Sequence, residues 1–251
     1  MSDYESYKLH FERMGNSLPS DVITSECIAD YYKPWMKAVS KDAKILDCGC
    51  GFGHQLYALE LMGFRNLFGI EMTLDSYELA KRELKYSDIK HIDAFEYLPK
   101  HIDEFDVIIL NDVLEHIPRD NVLKIMNHLN DSLKPGGILC IRVPNMSSLL
   151  SSYSMYMDFT HLVGYTEFSV MQLLEMTGFW NHKLISSSLK LQWKPKNPIL
   201  MLRRIVRICL YAANIGMHKF FYLLRKQHPI PKVFDYNLEI YSYKVKHYEL
   251  K

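Results

Sequence analysis

Short apolar runs that end in turn residues alternate along this chain with stretches whose apolar positions repeat at helical spacing. Lys44-Ile45-Leu46-Asp47-Cys48 is the first run and predicts a buried strand that opens into Gly49-Cys50-Gly51-Phe52-Gly53. A helix is expected from about 55 to 62, then a strand over 66–71 ending in Glu71, and a short strand over 89–92 ending in Asp93-Ala94. Phe105 to Leu110 is largely apolar and β-branched, the clearest strand by composition, and leads into Asn111-Asp112-Val113-Leu114-Glu115-His116-Ile117-Pro118. Val122, Leu123, Ile125, Met126 and Leu129 form the core face of a helix over about 120–132. Lys134-Pro135-Gly136-Gly137 reads as the turn that stops it, ahead of a fifth strand over 138–143 broken by Pro144. Partial alternation over 238–245 predicts the last strand. Strands alternating with helices in this way predict an α/β doubly wound sheet.

Length and charge narrow the picture. At 251 residues the chain is long enough for one well-buried domain, and a formal charge of +1 supplies no overall drive toward nucleic acid or acidic partners. Cysteines at 27, 48, 50, 140 and 209 show neither a disulfide framework nor C-x-x-C metal spacing, which suits a reducing cytoplasm. The start, Met1-Ser2-Asp3-Tyr4-Glu5, has no basic-then-apolar leader, and no uncharged apolar run is long enough to span a membrane. The first 40 residues, rich in tyrosine, are expected to form a helical cap in which His10 and Arg13 could reach substrate, with the remaining domain over 41–251.

The segment 199–224 has the most unusual composition. If 199–213 is one helix, Arg203, Arg204 and Arg207 share about a 100° arc and nearly every other position is apolar. Such a helix could lie on an anionic membrane surface, with Lys219, Arg225 and Lys226 extending its basic side, or pack against its own domain or a second subunit. It lies in a longer insertion, about 190–237, bracketed by Pro195, Pro198, Pro229 and Pro231 and expected on the substrate side.

The glycines carry the first candidate chemistry. Alternate glycines let the backbone approach a ligand closely, beside the free N–H groups of the following helix, so a nucleotide-like cofactor is the expected guest. A dinucleotide is disfavoured, because His54 stands where its fingerprint needs a third glycine. Glu71, 18 residues after Gly53, is placed to accept from ribose hydroxyls, and Asp93 with the Ala94 N–H could read an adenine edge.

Taken in order, ILDCGCGFG at 45–53, the acid of FGIEM at 68–72, Asp93-Ala94, FDVIILNDVLEHIP at 105–118 and LKPGGILCIRVPN at 133–145 resemble the class I S-adenosylmethionine-dependent methyltransferases, in the group that includes ubiquinone-type and surface-glycan enzymes. The resemblance covers roughly 40–181, including Thr166-Glu167-Phe168-Ser169 and Thr177-Gly178-Phe179. It implies a Rossmann-like seven-stranded mixed sheet with one antiparallel strand and helices on both faces. S-adenosylmethionine would be the cofactor, leaving as S-adenosylhomocysteine. Its implied contacts are Asp47, Gly49, Cys50, Gly51, Gly53, Glu71, Met72, Asp93, Ala94, Asn111 and Asp112.

For a general base, the first candidate is His161, with Asp158 to orient it, and the second is His116 beside Glu115. Asp112-x-x-Glu115-His116 also resembles an E-x-x-E-H element that holds a divalent ion in some relatives, with His161 placed as a further ligand. Many relatives keep D-V-L-E-H without a metal, so a metal is not expected. The D-F-T-H, Y-T-x-x-S and G-F elements resemble methyltransferases of capsule and lipopolysaccharide synthesis, implying a sugar hydroxyl or phosphate-type acceptor on a glycan or nucleotide-linked precursor. The alternatives are a small-molecule or quinone O-methyltransferase and a non-catalytic cofactor-binding scaffold. Nucleic acid is not expected, since the catalytic part has no basic stripe interleaved with aromatics. A cytoplasmic protein, peripheral at the inner membrane face if 199–226 docks there, is the expected location, and oligomeric state stays open.

Overall fold

A computed structural model describes residues 18–22, 36, 38–185, 198–226 and 229–245. Seven strands form one sheet in the order β3-β2-β1-β4-β5-β7-β6. They are β1 (Ile45–Cys48), β2 (Leu67–Glu71), β3 (Ser87–His91), β4 (Phe105–Asn111), β5 (Leu133–Pro144), β6 (Phe179–Ile185) and β7 (Asn237–Lys244). The described helices are α1 (Pro19–Val22), α2 (His54–Leu61), α3 (Leu74–Glu83), α4 (Ala94–Tyr97), α5 (Arg119–Ser132), α6 (Ser151–Tyr156), α7 (Glu167–Met176) and α8 (Pro198–Leu224). β1 through β5 pair in parallel, and only β7 runs against its neighbours, β5 and β6. The mixed sheet implied by the resemblance is thus the one observed.

Side chains on a strand alternate between faces, so a strand covered on both sides must be apolar at nearly every position. Leu46, Ile108, Leu110 and Ile141 point to one face and pack with Ile125 and Leu129 of α5 and Leu174 of α7. Ile45, Val107 and Ile109 point to the other and pack with Leu56 and Leu59 of α2 and Ala80 of α3. Continuous runs such as Val107–Leu110 follow from that double burial, each fully buried side chain contributing about 1.5–3 kcal/mol.

Two expectations are corrected. The Lys134–Gly137 turn lies inside β5: pairing passes from Phe105↔Leu133 to Val107↔Ile138, so β5 spends five residues where β4 spends two. Gly136 takes φ +79°, and a Cβ at Gly137 would lie 2.8 Å from the Lys134 carbonyl oxygen, so the excess folds into a bulge that only glycine permits. β3 starts at Ser87 rather than 89. The stretch 199–213 is one helix, within the 27 residues of α8. Most of the expected cap, including His10, Arg13 and Cys27, lies outside the described residues.

The sheet's carboxyl edge gathers the chemistry. β1, β2, β4 and β5 all end there, and the order reverses between β1 and β4, the crevice in which open α/β sheets hold ligands. β6 also ends at this edge and β7 begins there, Asn237 pairing with Pro144, so the segment between them leaves and re-enters the sheet on the same side. Buried Asn145 fixes the returning chain by donating to the carbonyls of Val233 and Asp235 at 3.1 and 3.0 Å. Buried Glu167 accepts from the Lys232 and Val233 N–H groups at 2.7 and 3.3 Å.

Candidate active site

The turn after β1 is held by β2. The N–H groups of Gly49 and Cys50 both donate to the Ile70 carbonyl, at 2.9 and 3.0 Å. Glu71 extends this clamp: one carboxylate oxygen accepts from the Gly51 N–H at 2.9 Å and the other from the Thr73 N–H at 2.8 Å. A carboxylate has about four acceptor positions, so two donors leave room for a hydroxylated ligand. Glu71 therefore shapes the turn as well as standing where a ribose ligand is expected.

Two features fit a nucleotide-like guest. Among the described residues, a Cβ built on Gly51, at φ +52°, meets nothing within 4 Å, so the backbone borders open space. Asn111, at the end of β4, donates from Nδ2 to Gln55 Oε1 at 3.0 Å, while its buried Oδ1 has no hydrogen-bond partner among the described residues. An orphaned buried acceptor of this kind is costly unless something bonds to it.

The other expected contacts line the same edge. Asp93 caps α4 by accepting from the Phe95 N–H at 2.6 Å, and the exposed Met72 offers its carbonyl to His91 Nε2 at 2.9 Å. Asp47 is buried on β1, and desolvation pushes its carboxyl up to about 7, against the pull of Arg142 and with further repulsion from Glu71. Burial raises the Cys48 and Cys50 thiols, so these cysteines fill space and are not nucleophiles.

Beyond β4, a single 3-10 turn (Leu114–His116) aims Glu115 and His116 toward the loop that carries His161. The Glu115 carbonyl anchors that loop by accepting from the Leu162 and Val163 N–H groups at 2.8 and 3.1 Å. Glu115 is 1% exposed, and neither carboxyl oxygen has a hydrogen-bond partner among the described residues. Desolvation, with repulsion from Asp112, pushes this carboxyl up to about 8.

The histidines meet over this carboxyl group. His161 Nε2 lies 4.0 Å from Glu115 Oε1, and the two imidazole rings are 4.8 Å apart, edge to face. His161 Nδ1 bonds the Ser154 carbonyl at 3.1 Å; a carbonyl only accepts, so Nδ1 carries the proton and Nε2 keeps its lone pair. His116 Nδ1 likewise faces the Thr160 carbonyl at 3.3 Å and Thr160 Oγ1 at 2.9 Å. Burial, then the neighbouring His161, lowers the His116 pKa, which keeps its ring neutral near pH 7.

Two sequence readings are placed more closely here. The Asp158 carboxylate acts first on Thr160. Its Oδ1 accepts from Thr160 Oγ1 at 2.6 Å, and Thr160 bonds His116, so its influence reaches the second histidine while Ser154 holds the first. Asp112 also leaves the proposed metal set: at φ +53° it turns toward Arg142, which donates from Nε at 3.0 Å and from a terminal guanidinium nitrogen. Among the described residues, Glu115, His116 and His161 remain as a group whose ligand atoms lie within 4.8 Å of one another. One carboxylate and two imidazoles with fixed Nδ1 protons could hold a divalent ion or pass a proton. Ser154, Thr160 and Arg142 were not singled out by sequence; Thr160 stood within the D-F-T-H element, whereas nothing local marked Ser154.

The buried carboxyl gives a prediction. Its folded pKa of about 8 exceeds the ordinary 4.5, so between these values the folded chain holds a proton that the unfolded chain has released. Stability should then fall as pH rises through this window and level off above it. Glu115→Gln is expected to flatten that decline and to gain stability at pH 8, on the order of a few kcal/mol, in urea unfolding at pH 5 and pH 8. Parallel pH profiles for the two proteins would show that the carboxyl is not held neutral.

A cleft of about 530 Å3 at the opposite, amino edge is a poorer candidate: Lys134 and Asp106 line it, and the ammonium already bonds both carboxylate oxygens at 2.8 Å.

Comparison with known proteins bears on the family and the fold. A family model described as a methyltransferase domain matches residues 27–184. An uncharacterized protein of Methanocaldococcus jannaschii is 34% identical over 119 residues, 47% of this chain and 48% of its own. The ubiquinone biosynthesis O-methyltransferase of Actinobacillus pleuropneumoniae is 32% identical over 104 residues, 38% of this chain and 43% of its own. The chain thus spans about half the length of the curated relatives it matches. In fold, it is similar to a SAM-dependent methyltransferase from Archaeoglobus fulgidus, with TM-score 0.65 and 22% identity over 95% of this chain and 99% of that one.

Proposed function

The chain belongs to the methyltransferase-domain family, and from that premise we propose that it transfers the methyl group of S-adenosylmethionine to an oxygen of a sugar hydroxyl or phosphate-type group. The acceptor is a glycan or nucleotide-linked precursor of bacterial capsule or lipopolysaccharide synthesis, and the site of action is the cytoplasm. The observation that carries the oxygen-acceptor reading is the lone-pair Nε2 of His161, set by the Ser154 carbonyl beside a buried carboxyl group. A hydroxyl must lose its proton as it attacks, so a neutral imidazole with a fixed tautomer suits it. The D-F-T-H and Y-T-x-x-S elements support the surface-glycan class.

When bound, S-adenosylmethionine supplies an electrophilic methyl group on a sulfonium centre. The chain's own part is positioning. Gly51 leaves space beside the turn, Glu71 accepts from hydroxyls with its remaining lone pairs, and Asn111 Oδ1 accepts from a donor group. His161 takes the acceptor proton at Nε2, with Ser154 holding the ring and Glu115 below it. A second reading, a quinone-type O-methyltransferase, is favoured by the similarity to the ubiquinone-pathway relative; its phenolic acceptor would use the same base.

Incubation with methyl-labelled cofactor and a panel of nucleotide sugars, lipid-linked glycans and demethylated quinones tests both readings. Label in a glycan fraction supports the first and label in the quinone supports the second. Cofactor binding with no label in any acceptor would leave the scaffold alternative standing. Glu71→Ala is expected to weaken S-adenosylhomocysteine binding about 10- to 100-fold by calorimetry, the scale of charge-assisted hydrogen bonds, and an unchanged affinity would remove Glu71 from the site.

A further inference from the structure

α8 presents an apolar face to solvent along its whole length. Leu202, Val206, Leu210, Met217, Phe221 and Leu224 are all exposed, and at about 100° per residue they share an arc of roughly 100°. The opposite side meets the protein body: the rings of His218 and Tyr222 lie 4.7 and 6.2 Å from that of Phe234. The face is therefore turned away from the core, and monomeric proteins rarely leave so long an apolar stripe bare.

Charge identifies what covers it. Residues 176–234 contain no Asp or Glu but hold 11 of the chain's 30 Lys and Arg, while the remainder of the chain sets 19 basic residues against all 29 acids. The near-neutral total hides a segment of +11 within a body of −10. Lys219, Arg225 and Lys226 are exposed on or just after α8. Pairing this face with a second copy of the chain would bring two such segments together, whereas an anionic bilayer offers apolar depth and opposite charge at once. At 27 residues α8 is about 40 Å long, yet no described helix is long and apolar enough to cross a membrane.

We infer that α8 docks the protein on an anionic lipid surface, lying in the interface with its Leu202–Leu224 face buried and its basic residues among the headgroups. The insertion leaves and re-enters the sheet at the carboxyl edge, so docking carries the candidate active site to the bilayer.

The test is flotation of the full chain with vesicles of phosphatidylcholine alone or mixed with phosphatidylglycerol. Binding to the anionic vesicles, weakened by salt, is expected. Phe221→Ser with Leu224→Ser should abolish it. Lys219→Glu with Lys226→Glu should lower it at least tenfold, since each basic side chain near such a surface is worth about fivefold. Unchanged affinity of these variants for S-adenosylhomocysteine shows that they are folded, and vesicle binding is read without any methyl transfer, so the inference stands or falls apart from the proposed reaction. Equal binding to neutral vesicles, binding to neither, or a stable dimer in light scattering that the Phe221→Ser, Leu224→Ser variant dissolves would each overturn it.

Discussion

Gly51→Val is expected to lower affinity for S-adenosylhomocysteine by at least about 100-fold, because a β-branched side chain would stand in the space that the turn keeps open. At φ +52° the Gly51 backbone borders a volume with no atom of the other described residues within 4 Å of a built Cβ, while its N–H is fixed on Glu71 at 2.9 Å. Valine strains the left-handed conformation and projects two methyl groups from it. Strain alone must be separated from occlusion, and Gly63 allows this. It has φ +89°, open space around a built Cβ, and lies before β2 at the amino edge of the sheet. Gly63→Val should lose comparable stability in thermal unfolding yet bind the ligand normally in calorimetry. Native affinity in folded Gly51→Val would remove the turn from the cofactor site.

The placement of the candidate cofactor residues was largely legible because they are local. A strand, its glycine turn and the acid ending the next strand need only the strand period and the turn chemistry of nearby residues, so Gly51, Glu71 and Asp93 could be placed by reading forward. What failed depended on register or on distant loops. β4 and β5 pair Asn111 with Arg142, which brings Arg142 to Asp112 and draws it from the candidate metal group; no spacing within 105–118 records that pairing. Asp158 could be named beside His161 from the sequence, but not its link through Thr160 to His116, 44 residues before Thr160 in the chain. The Lys134–Gly137 bulge misled in the other direction: its residues are those of a turn, but the strand pairing on either side continues through it. For α8 the sequence reading of 199–213 covered only part of the element, because no proline or acidic residue marks a stop before Leu224.

His161→Ala is expected to lower kcat by about 10²- to 10⁴-fold, the usual range for a general base, with affinity for S-adenosylhomocysteine nearly unchanged. The expectation rests on a tautomer. Ser154 accepts the Nδ1 proton, so the lone pair is on Nε2, facing the Glu115 carboxyl at 4.0 Å. Raised to about 8, that carboxyl group is neutral near pH 7 and leaves the imidazole free to take a proton from an acceptor hydroxyl. Normal turnover at saturating acceptor would reject the role. Metal binding by the same three residues predicts a different pattern. An ion would need an ionised Glu115, so chelation would abolish native activity, a divalent ion would restore it, and Glu115→Gln, His116→Ala and His161→Ala would all lose it together. If His161 acts as a base with no ion, chelation changes nothing and Glu115→Gln, which preserves a neutral side chain of the same shape, keeps most of the rate. Glu115→Gln therefore decides between proton transfer and metal binding at a cluster whose geometry permits both.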